Sequence, residues 1–154
     1  MATTATISIS SDIAPGFGGI TNTMTLTKAG ALTDIEETTG FSRRKLASTV
    51  IVDLIIMADA SLIQETSDNT AAKVYIRNIG DGKGNIDKST YVTVGIGANQ
   101  AQDDAGASAS QPIGRLYGGD WMLFPVTGID DADVVVNGST NDAVVLEYVM
   151  FYEV

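Results

Sequence analysis

The chain has 154 residues, 44% of them apolar and 18% charged, so it is long enough to bury a core and too apolar for a disordered chain. It contains no cysteine and no histidine, which excludes disulfides, thiolate metal sites and any mechanism that needs an imidazole base. The formal net charge is −10, and residues 116–154 carry seven acidic and no basic side chains. Such a surface repels phosphate groups, so we expect neither nucleic acid nor an anionic membrane as a partner.

The sequence also lacks the patterns of membrane insertion and secretion. The apolar run around Leu54 to Met57 is bounded by Asp53 and Asp59 and is far shorter than the ~20 residues of a membrane span. The first residues carry no positive charge, so no signal peptide is expected.

The N-terminal half alternates polar and apolar residues in the manner of β-strands. Thr3 to Ser10 and Thr21 to Lys28 predict two short strands, each with threonine or serine on the face toward solvent. An extended docking arm over residues 1–20 is compatible with this pattern. Leu46 to Ile63 is apolar and rich in β-branched residues, which favours a strand over a helix. Because this stretch is unusually long for one strand, we expect a bend or bulge near Asp59.

Two further alternating segments, Lys73 to Ile79 and Thr90 to Ile96, also predict strands. The loop Gly80 to Asp87 between them lacks the residues that a phosphate loop or an EF-hand requires, so we interpret it as a flexible hairpin loop. Asn99 to Gln111 is small and polar and predicts a mobile loop.

The segment Ile113 to Val126 reads IGRLYGGDWMLFPV and contains the only tryptophan of the chain. Its Gly-Gly pair tolerates positive φ, which predicts a tight hairpin turn between two strands. Trp121 has two interpretations. It anchors the β core, or it forms an aromatic platform for a sugar or a partner, with Asp120 as the hydrogen-bond acceptor.

The C-terminal segment Ala143 to Glu153 is largely apolar on both faces, which predicts a central strand or a strand that lies against a partner. The whole chain then contains eight or nine strands, frequent turn signals and no convincing long helix. This pattern predicts an all-β fold, a single antiparallel β-sandwich domain of the jelly-roll type over residues 1–154.

Arg43, Arg44 and Lys45 form the only basic cluster. Basic trios usually lie on a solvated face. Because this trio precedes the most apolar strand of an acidic protein, it is also a candidate docking point for an acidic neighbour, including another copy of this chain.

We assign no catalytic residue, no cofactor and no metal ligand from the sequence. Asp130, Asp131 and Asp133 could bind calcium, but a solvated acidic turn is the simpler interpretation. Asp120 and Glu147 could act as a glycosidase pair, yet any acidic β protein offers such pairs. We therefore expect a structural or binding protein and no enzyme.

Five short sequence segments, spread over most of the chain, are similar to segments of a known class of proteins. They are NTMTLTKAG at 22–30, TGFS at 39–42, KVYIRN at 73–78, IGRLYGGDWMLFP at 113–125 and LEYVMFY at 146–152. In these segments the sequence resembles small virion proteins of tailed phages, especially marine and cyanobacterial ones.

This resemblance implies a capsid decoration (cement) protein, made in the host cytoplasm and carried on the capsid surface of the virion. The implied partners are the major capsid protein and other copies of the chain, in a homo-oligomer for which a trimer is one form. Either the segment up to about Ser11 or the trio Arg43 to Lys45 would dock it. Binding to the assembled shell but not to its free subunits would stabilise the shell by mass action.

Three other functions stay open. A tail, neck or fibre component would expose Trp121 and Tyr117 to host glycans. A free carbohydrate-binding module would bind sugar as a monomer. A glycosidase would need its carboxylate pair on opposite sides of a sugar.

Overall fold

The computed structural model describes residues 4–9, 20–26, 37–38, 40–46, 51–55, 71–83, 85–86, 88–97, 111–127, 133–139 and 144–152. These residues form eleven β-strands and no helix. The strands are β1 (Thr4–Ile9), β2 (Ile20–Thr25), β3 (Glu37–Thr38), β4 (Ser42–Leu46), β5 (Val52–Ile55), β6 (Ala71–Asn78), β7 (Tyr91–Ile96), β8 (Gln111–Tyr117), β9 (Trp121–Thr127), β10 (Val134–Gly138) and β11 (Val144–Tyr152).

Two antiparallel sheets form a β-sandwich. The four-stranded sheet has the order β5-β10-β7-β8, and the five-stranded sheet has the order β3-β11-β6-β9, with β4 also paired to β11. Strands β4 to β11 thus follow the jelly-roll arrangement, β4-β11-β6-β9 against β5-β10-β7-β8. Among them only β7 and β8 are consecutive in the same sheet, and every other connection crosses to the opposite sheet. The predicted antiparallel, jelly-roll-type sandwich is confirmed.

The core lies between the two sheets because strand alternation directs every second side chain inward. On β11, Leu146 and Met150 are fully buried in this core, whereas Val149 points to the other side of the sheet. β11 lies between β4 and β6, so the predicted central strand with two apolar faces is confirmed. On β6, Val74 and Ile76 face the core in the same way.

Two predicted hairpins are wrong. β8 pairs with β7 and β9 pairs with β6, so the turn after Tyr117 connects the two sheets instead of two neighbouring strands. The loop that begins at Gly80 likewise leads from β6 in one sheet to β7 in the other. Turn chemistry is local, but the partner of each strand is decided by which inner faces pack together.

The strand predicted over Leu46 to Ile63 is confirmed in part, as β5, but the stretch does not form one continuous strand. β4 ends at Leu46 in the five-stranded sheet, and β5 begins at Val52 in the four-stranded sheet. The bend predicted near Asp59 lies outside the described residues, as does the predicted loop at 99–110. Gln111, the last residue of that predicted loop, begins β8.

β1 and β2 form a separate two-stranded sheet, which we call the N-terminal hairpin. Its predicted threonine ladder is confirmed: the hydroxyls of Thr6 and Thr23 lie 2.9 Å apart on an exposed face. The opposite face carries Ala5 and Ile7, which are half-buried. Within the predicted docking arm, residues 4–9 therefore form a paired strand and residues 10–19 lie outside the described part. A docking role for this segment stays a prediction.

Candidate functional site

The surface of the five-stranded sheet that points away from the core is the candidate site, and we call it the outer face. It is built by the side chains that alternate with the buried ones on β4, β6, β9 and β11. Three rows cross the strands there: Trp121, Arg77, Glu147 and Arg43; Leu123, Tyr75 and Val149; and Pro125, Lys73 and Phe151.

Three aromatic rings meet on the outer face and form an aromatic cluster of Phe41, Tyr75 and Trp121. The Tyr75 ring centroid lies 6.4 Å from that of Phe41, edge to face, and 6.1 Å from that of Trp121. Phe41 is 72% exposed and Trp121 is 47% exposed. Aromatic side chains gain most from burial, so a cluster left in water is a preferred contact for a partner.

The charge of the outer face is opposite to that of the whole chain. Arg43, Lys45, Lys73 and Arg77 all lie on this face by strand alternation, and they are four of the nine basic residues in the chain. Among its described residues the outer face carries one carboxylate, Glu147. A basic surface therefore stands on a protein whose net charge is −10.

One ion pair crosses this surface. The Nε and Nη2 atoms of Arg43 donate to Oε2 of Glu147 at 3.1 and 3.0 Å. The Arg43 side chain is largely exposed, so the pair contributes at most about 1 kcal/mol to folding. Its main effect is to position the two side chains beside the aromatic cluster.

The N-terminal hairpin covers part of the outer face. Val149 and Leu26 are almost fully buried although neither belongs to the core cluster between the sheets. The hairpin leaves a partly open cavity of about 180 Å³ against the sheet. The cavity is lined by Thr4, Ala5, Leu26, Phe41, Tyr75, Leu123, Val149 and Phe151.

The structure separates the basic trio predicted as one docking point. All three residues are exposed on β4. Arg43 and Lys45 lie on the outer face, whereas Arg44 points to the opposite side of the strand, in register with Leu146. A single flat partner could contact Arg43 and Lys45 together but not Arg44. The role of the trio in docking stays a prediction.

The interpretation that Trp121 anchors the core is wrong, because Trp121 is 47% exposed and lies on the outer face. Trp121 and Tyr117, the two aromatic residues predicted for host contact, are both exposed but lie on different sheets. Tyr117 lies on the outside of the four-stranded sheet, where its ring packs 5.3 Å from that of Tyr91, and Trp121 lies on the other sheet. Oδ2 of Asp120 accepts a hydrogen bond from the Tyr117 backbone N–H at 3.0 Å. Trp121 instead has Tyr75 as its aromatic neighbour, which the sequence did not predict because the pairing of β6 with β9 is a long-range contact.

Asn78 is the structural residue that sequence reasoning missed. It is fully buried at the end of β6, and its Nδ2 donates to the Leu116 carbonyl at 3.0 Å while its Oδ1 accepts from the Gly80 N–H at 2.9 Å. Its backbone N–H donates to Asp120 O and its carbonyl accepts from Gly119 N–H. Asn78 thereby ties the β6–β7 connection to the β8–β9 connection, two of the crossings between the sheets, and orients the start of β9, where Trp121 lies. The sequence feature that could have indicated this role is an asparagine at the end of a predicted strand, followed by Ile-Gly.

The loop after Gly80 is ordered by Asp81. Its Oδ2 accepts from Asn85 Nδ2 at 2.7 Å, and its Oδ1 accepts from the Lys83 backbone N–H at 2.7 Å. These hydrogen bonds, the Asn85 side chain first, hold the pKa of the Asp81 carboxyl below its ordinary value of 3.8. A side chain at Gly82 would lie 2.8 Å from Val145 Cγ2, so the loop packs directly on β11.

The acidic residues considered for chemistry have structural neighbours or lie outside the described part. Asp120 binds the turn and Glu147 binds Arg43, so both candidates for a glycosidase pair already make hydrogen bonds. Asp130 and Asp131 lie outside the described residues. Within the described ranges no group of three or more acidic, histidine or cysteine residues is placed to hold a metal ion. The same ranges contain no helix long and apolar enough to span a membrane.

Comparison with known proteins identifies no family. No protein-family model matches the sequence, and no curated protein matches it. One similar solved structure comes from Bacillus endospore appendages, which are described as a novel family of disulfide-linked pili. It is 16% identical, the match covers 80% of this chain and 97% of that chain, and the TM-score is 0.37. At that TM-score the likeness supports no conclusion about function.

Proposed function

We propose that this chain is a structural protein of an assembled particle, a capsid decoration protein that docks onto the major capsid protein through its outer face. The observation that carries the proposal is the exposed aromatic cluster of Phe41, Tyr75 and Trp121 inside a basic surface on an acidic protein. The resemblance of the sequence to small phage virion proteins agrees with it.

The chemistry of the outer face is that of a protein-binding surface. Tryptophan, tyrosine and arginine dominate the binding energy of protein interfaces, and here Trp121, Tyr75 and Arg77 are neighbours across two strands. Burying the aromatic rings against a partner removes apolar area from water, at about 25 cal/mol per Å². The surrounding cations favour an acidic partner and set its orientation.

Two of the sandwich edges favour contact through a face over strand pairing. β8 and β9 are edge strands of the two sheets, and each contains a proline, Pro112 and Pro125. Proline lacks the N–H that a neighbouring strand would need, so these edges resist addition of another chain. At these two edges, copies of the chain in a homo-oligomer would therefore meet the capsid, or each other, through flat surfaces. The edge strands β4 and β5 contain no proline, so this argument does not extend to them.

The function would be thermodynamic. A protein that binds the assembled shell but not the free subunits stabilises the shell, by about 2.7 kcal/mol per site when its free concentration is about 100 times the dissociation constant. Several linked copies would increase this effect through avidity. No bond is made or broken, so the absence of a catalytic constellation in the sequence is consistent with the proposal.

The test is cryo-electron microscopy of native particles from cultures that produce this chain. We expect jelly-roll density at regular positions of the shell, with the outer face toward the capsid subunits. Trp121→Ala should remove that density, and Tyr117→Ala, an exposed aromatic on the other sheet, should leave it in place. Density only at a vertex or tail, or none, would contradict the proposal.

A second candidate function is favoured by the tilted stacking of Trp121 and Tyr75, since a pair of exposed rings suits the apolar face of a sugar. In that case the chain would be a tail, neck or fibre component that contacts host glycans. A glycan array separates the two functions: saturable binding to a defined sugar that Trp121→Ala abolishes would support the second one.

A further inference from the structure

The cavity beneath the N-terminal hairpin has the properties of an anchor pocket. Ala5 and Leu26 close it from the hairpin, Leu123 and Val149 form its floor, and Tyr75 connects it to the exposed aromatic cluster. Its volume is about 180 Å³. Apolar cavities of about 150 Å³ hold a benzene molecule, so a phenyl ring or a branched aliphatic side chain fits this one.

Two cations flank the pocket at a defined spacing. Lys73 and Arg77 stand two residues before and two residues after Tyr75 on β6, on the same face of the strand. Two residues of extended chain span about 7 Å, so the charges lie about 7 Å to each side of the Tyr75 position along the strand. Fields of more distant charges are screened beyond about 8 Å at physiological ionic strength, so these two cations act on a bound group more strongly than the net charge does.

We propose that the cavity anchors an extended acidic segment of the partner protein, with one phenylalanine or leucine side chain inside the pocket. Acidic residues two positions before and two positions after that anchor pair with Lys73 and Arg77. The intervening residues point away from the sheet because side chains alternate along an extended chain. This inference rests on the proposed function and identifies the kind of segment that the particle presents to the outer face.

The experiment is a fluorescence titration of the full chain, in which Trp121 is the only tryptophan and stands beside one wall of the pocket. The spaced probe is the capped peptide Ser-Glu-Ser-Phe-Ser-Glu-Ser. The matched control, Ser-Ser-Glu-Phe-Glu-Ser-Ser, has the same composition with its glutamates next to the phenylalanine. We expect the control to bind about fivefold more weakly because its carboxylates point away from the two cations. Equal affinity of the two peptides would overturn the assigned spacing.

A pair of variants tests the pocket itself. Ala5→Leu fills the cavity from the hairpin and should weaken the spaced peptide about tenfold. Thr6→Leu adds the same side chain to the exposed face of the same strand and should leave the affinity unchanged. Thermal melting of both variants shows whether each is folded. If Ala5→Leu is folded and binds the spaced peptide as tightly as the native chain, the pocket is not the anchor site.

A complementary test uses a variant that enlarges the pocket, so its result does not depend on filling the cavity. Leu123→Ala should shift the preference from the phenylalanine peptide to one with a bulkier naphthylalanine at the same position. No shift in preference would count against the pocket. Particle binding that survives Ala5→Leu would overturn this inference and leave the proposed function standing. Peptide binding without any particle binding would support the anchor pocket and contradict the proposed function.

Discussion

β11 borders two apolar layers that differ in how completely they are packed. On one side Leu146 and Met150 are fully buried among side chains from both sheets. On the other side Val149 is buried beneath the N-terminal hairpin, yet a cavity of about 180 Å³ remains next to it and the Phe41 ring is mostly in water. The same strand thus contributes to a closed core and to an open second layer.

The difference follows from what covers each side. The core is covered by a complete sheet of four strands, whereas the outer face is covered by a two-stranded hairpin that is narrower than the sheet below it. The apolar side chains of the core are already buried in the folded protein, so they have no exposed area left to bury against a partner. The unburied area of the second layer is still available for binding, which is why the outer face and not the core is the candidate site.

The largest effect is expected in the closed layer. Leu146→Ala should reduce the free energy of unfolding by about 3 kcal/mol, because it removes buried methyl groups and leaves a cavity that the two sheets cannot close. Urea denaturation followed by circular dichroism measures the change. A loss below about 1 kcal/mol would mean that the core is as loosely packed as the second layer.

A somewhat smaller loss of unfolding free energy is expected at Asn78, where the β6–β7 and β8–β9 connections meet. Asn78→Ala leaves the buried Gly80 N–H without its acceptor and removes one donor from the Leu116 carbonyl, which should cost about 2 kcal/mol. The exposed Asn22→Ala on β2 is the matched control and should change stability by less than about 0.5 kcal/mol. If the two substitutions lowered the free energy of unfolding equally in the same denaturation experiment, the hydrogen bonds of Asn78 would not stabilise the junction between the sheets.

The most direct test of the two layers is the pair Val74→Ala and Val149→Ala, since both valines are buried. Each change removes about 1.5 kcal/mol of transfer free energy, and Val74→Ala adds a cavity cost in the closed core. At Val149 the hairpin can settle onto the sheet, so we expect the smaller loss there. A loss at Val149 equal to that at Val74 would show that the hairpin is held as rigidly as the sheets.

Trp121→Ala should separate stability from binding. The side chain is about half exposed, so its removal should lower the free energy of unfolding by less than about 1 kcal/mol. Binding to the particle should nevertheless be lost. A large loss of stability on denaturation would instead make Trp121 a structural residue of the second layer.

The smallest effect concerns pH and the loop at Asp81. Because the pKa of this carboxyl is lowered in the folded protein, its contribution is fully present above the ordinary value of 3.8 and is lost as pH falls through the lowered folded-state value. The Lys83 and Asn85 amide signals in NMR spectra should shift in that acidic range as their hydrogen bonds to Asp81 weaken. In Asp81→Asn this titration should disappear while the signals of the core strands stay unchanged.

Local pattern was sufficient for the elements and insufficient for their partners. Alternation correctly predicted β1, the exposed threonine ladder and β6, and the two apolar faces of the C-terminal segment correctly predicted the central position of β11. The local pattern gave the wrong prediction at the turns, because it does not show to which sheet each flanking strand belongs. The Gly-Gly turn does contain one glycine at φ +94°, Gly119, but it joins strands of different sheets. The candidate site was found in part: Trp121 and Arg43 lie on the outer face, whereas Tyr117 and Arg44 do not.

The sequence by itself determined the all-β class, because threonine, valine and isoleucine at alternate positions favour extended chain with one face buried. It also determined the acidic net charge and excluded thiol and imidazole chemistry, which depend on composition alone. Only the tertiary structure decided that Tyr75 on β6 would meet Trp121 on β9 and that four cations would share one face. Tyr75 and Trp121 are 46 residues apart, and the four cations come in two pairs from β4 and β6, which are 28 to 34 residues apart. Such long-range pairing is selected by the packing of whole faces, which no short segment encodes.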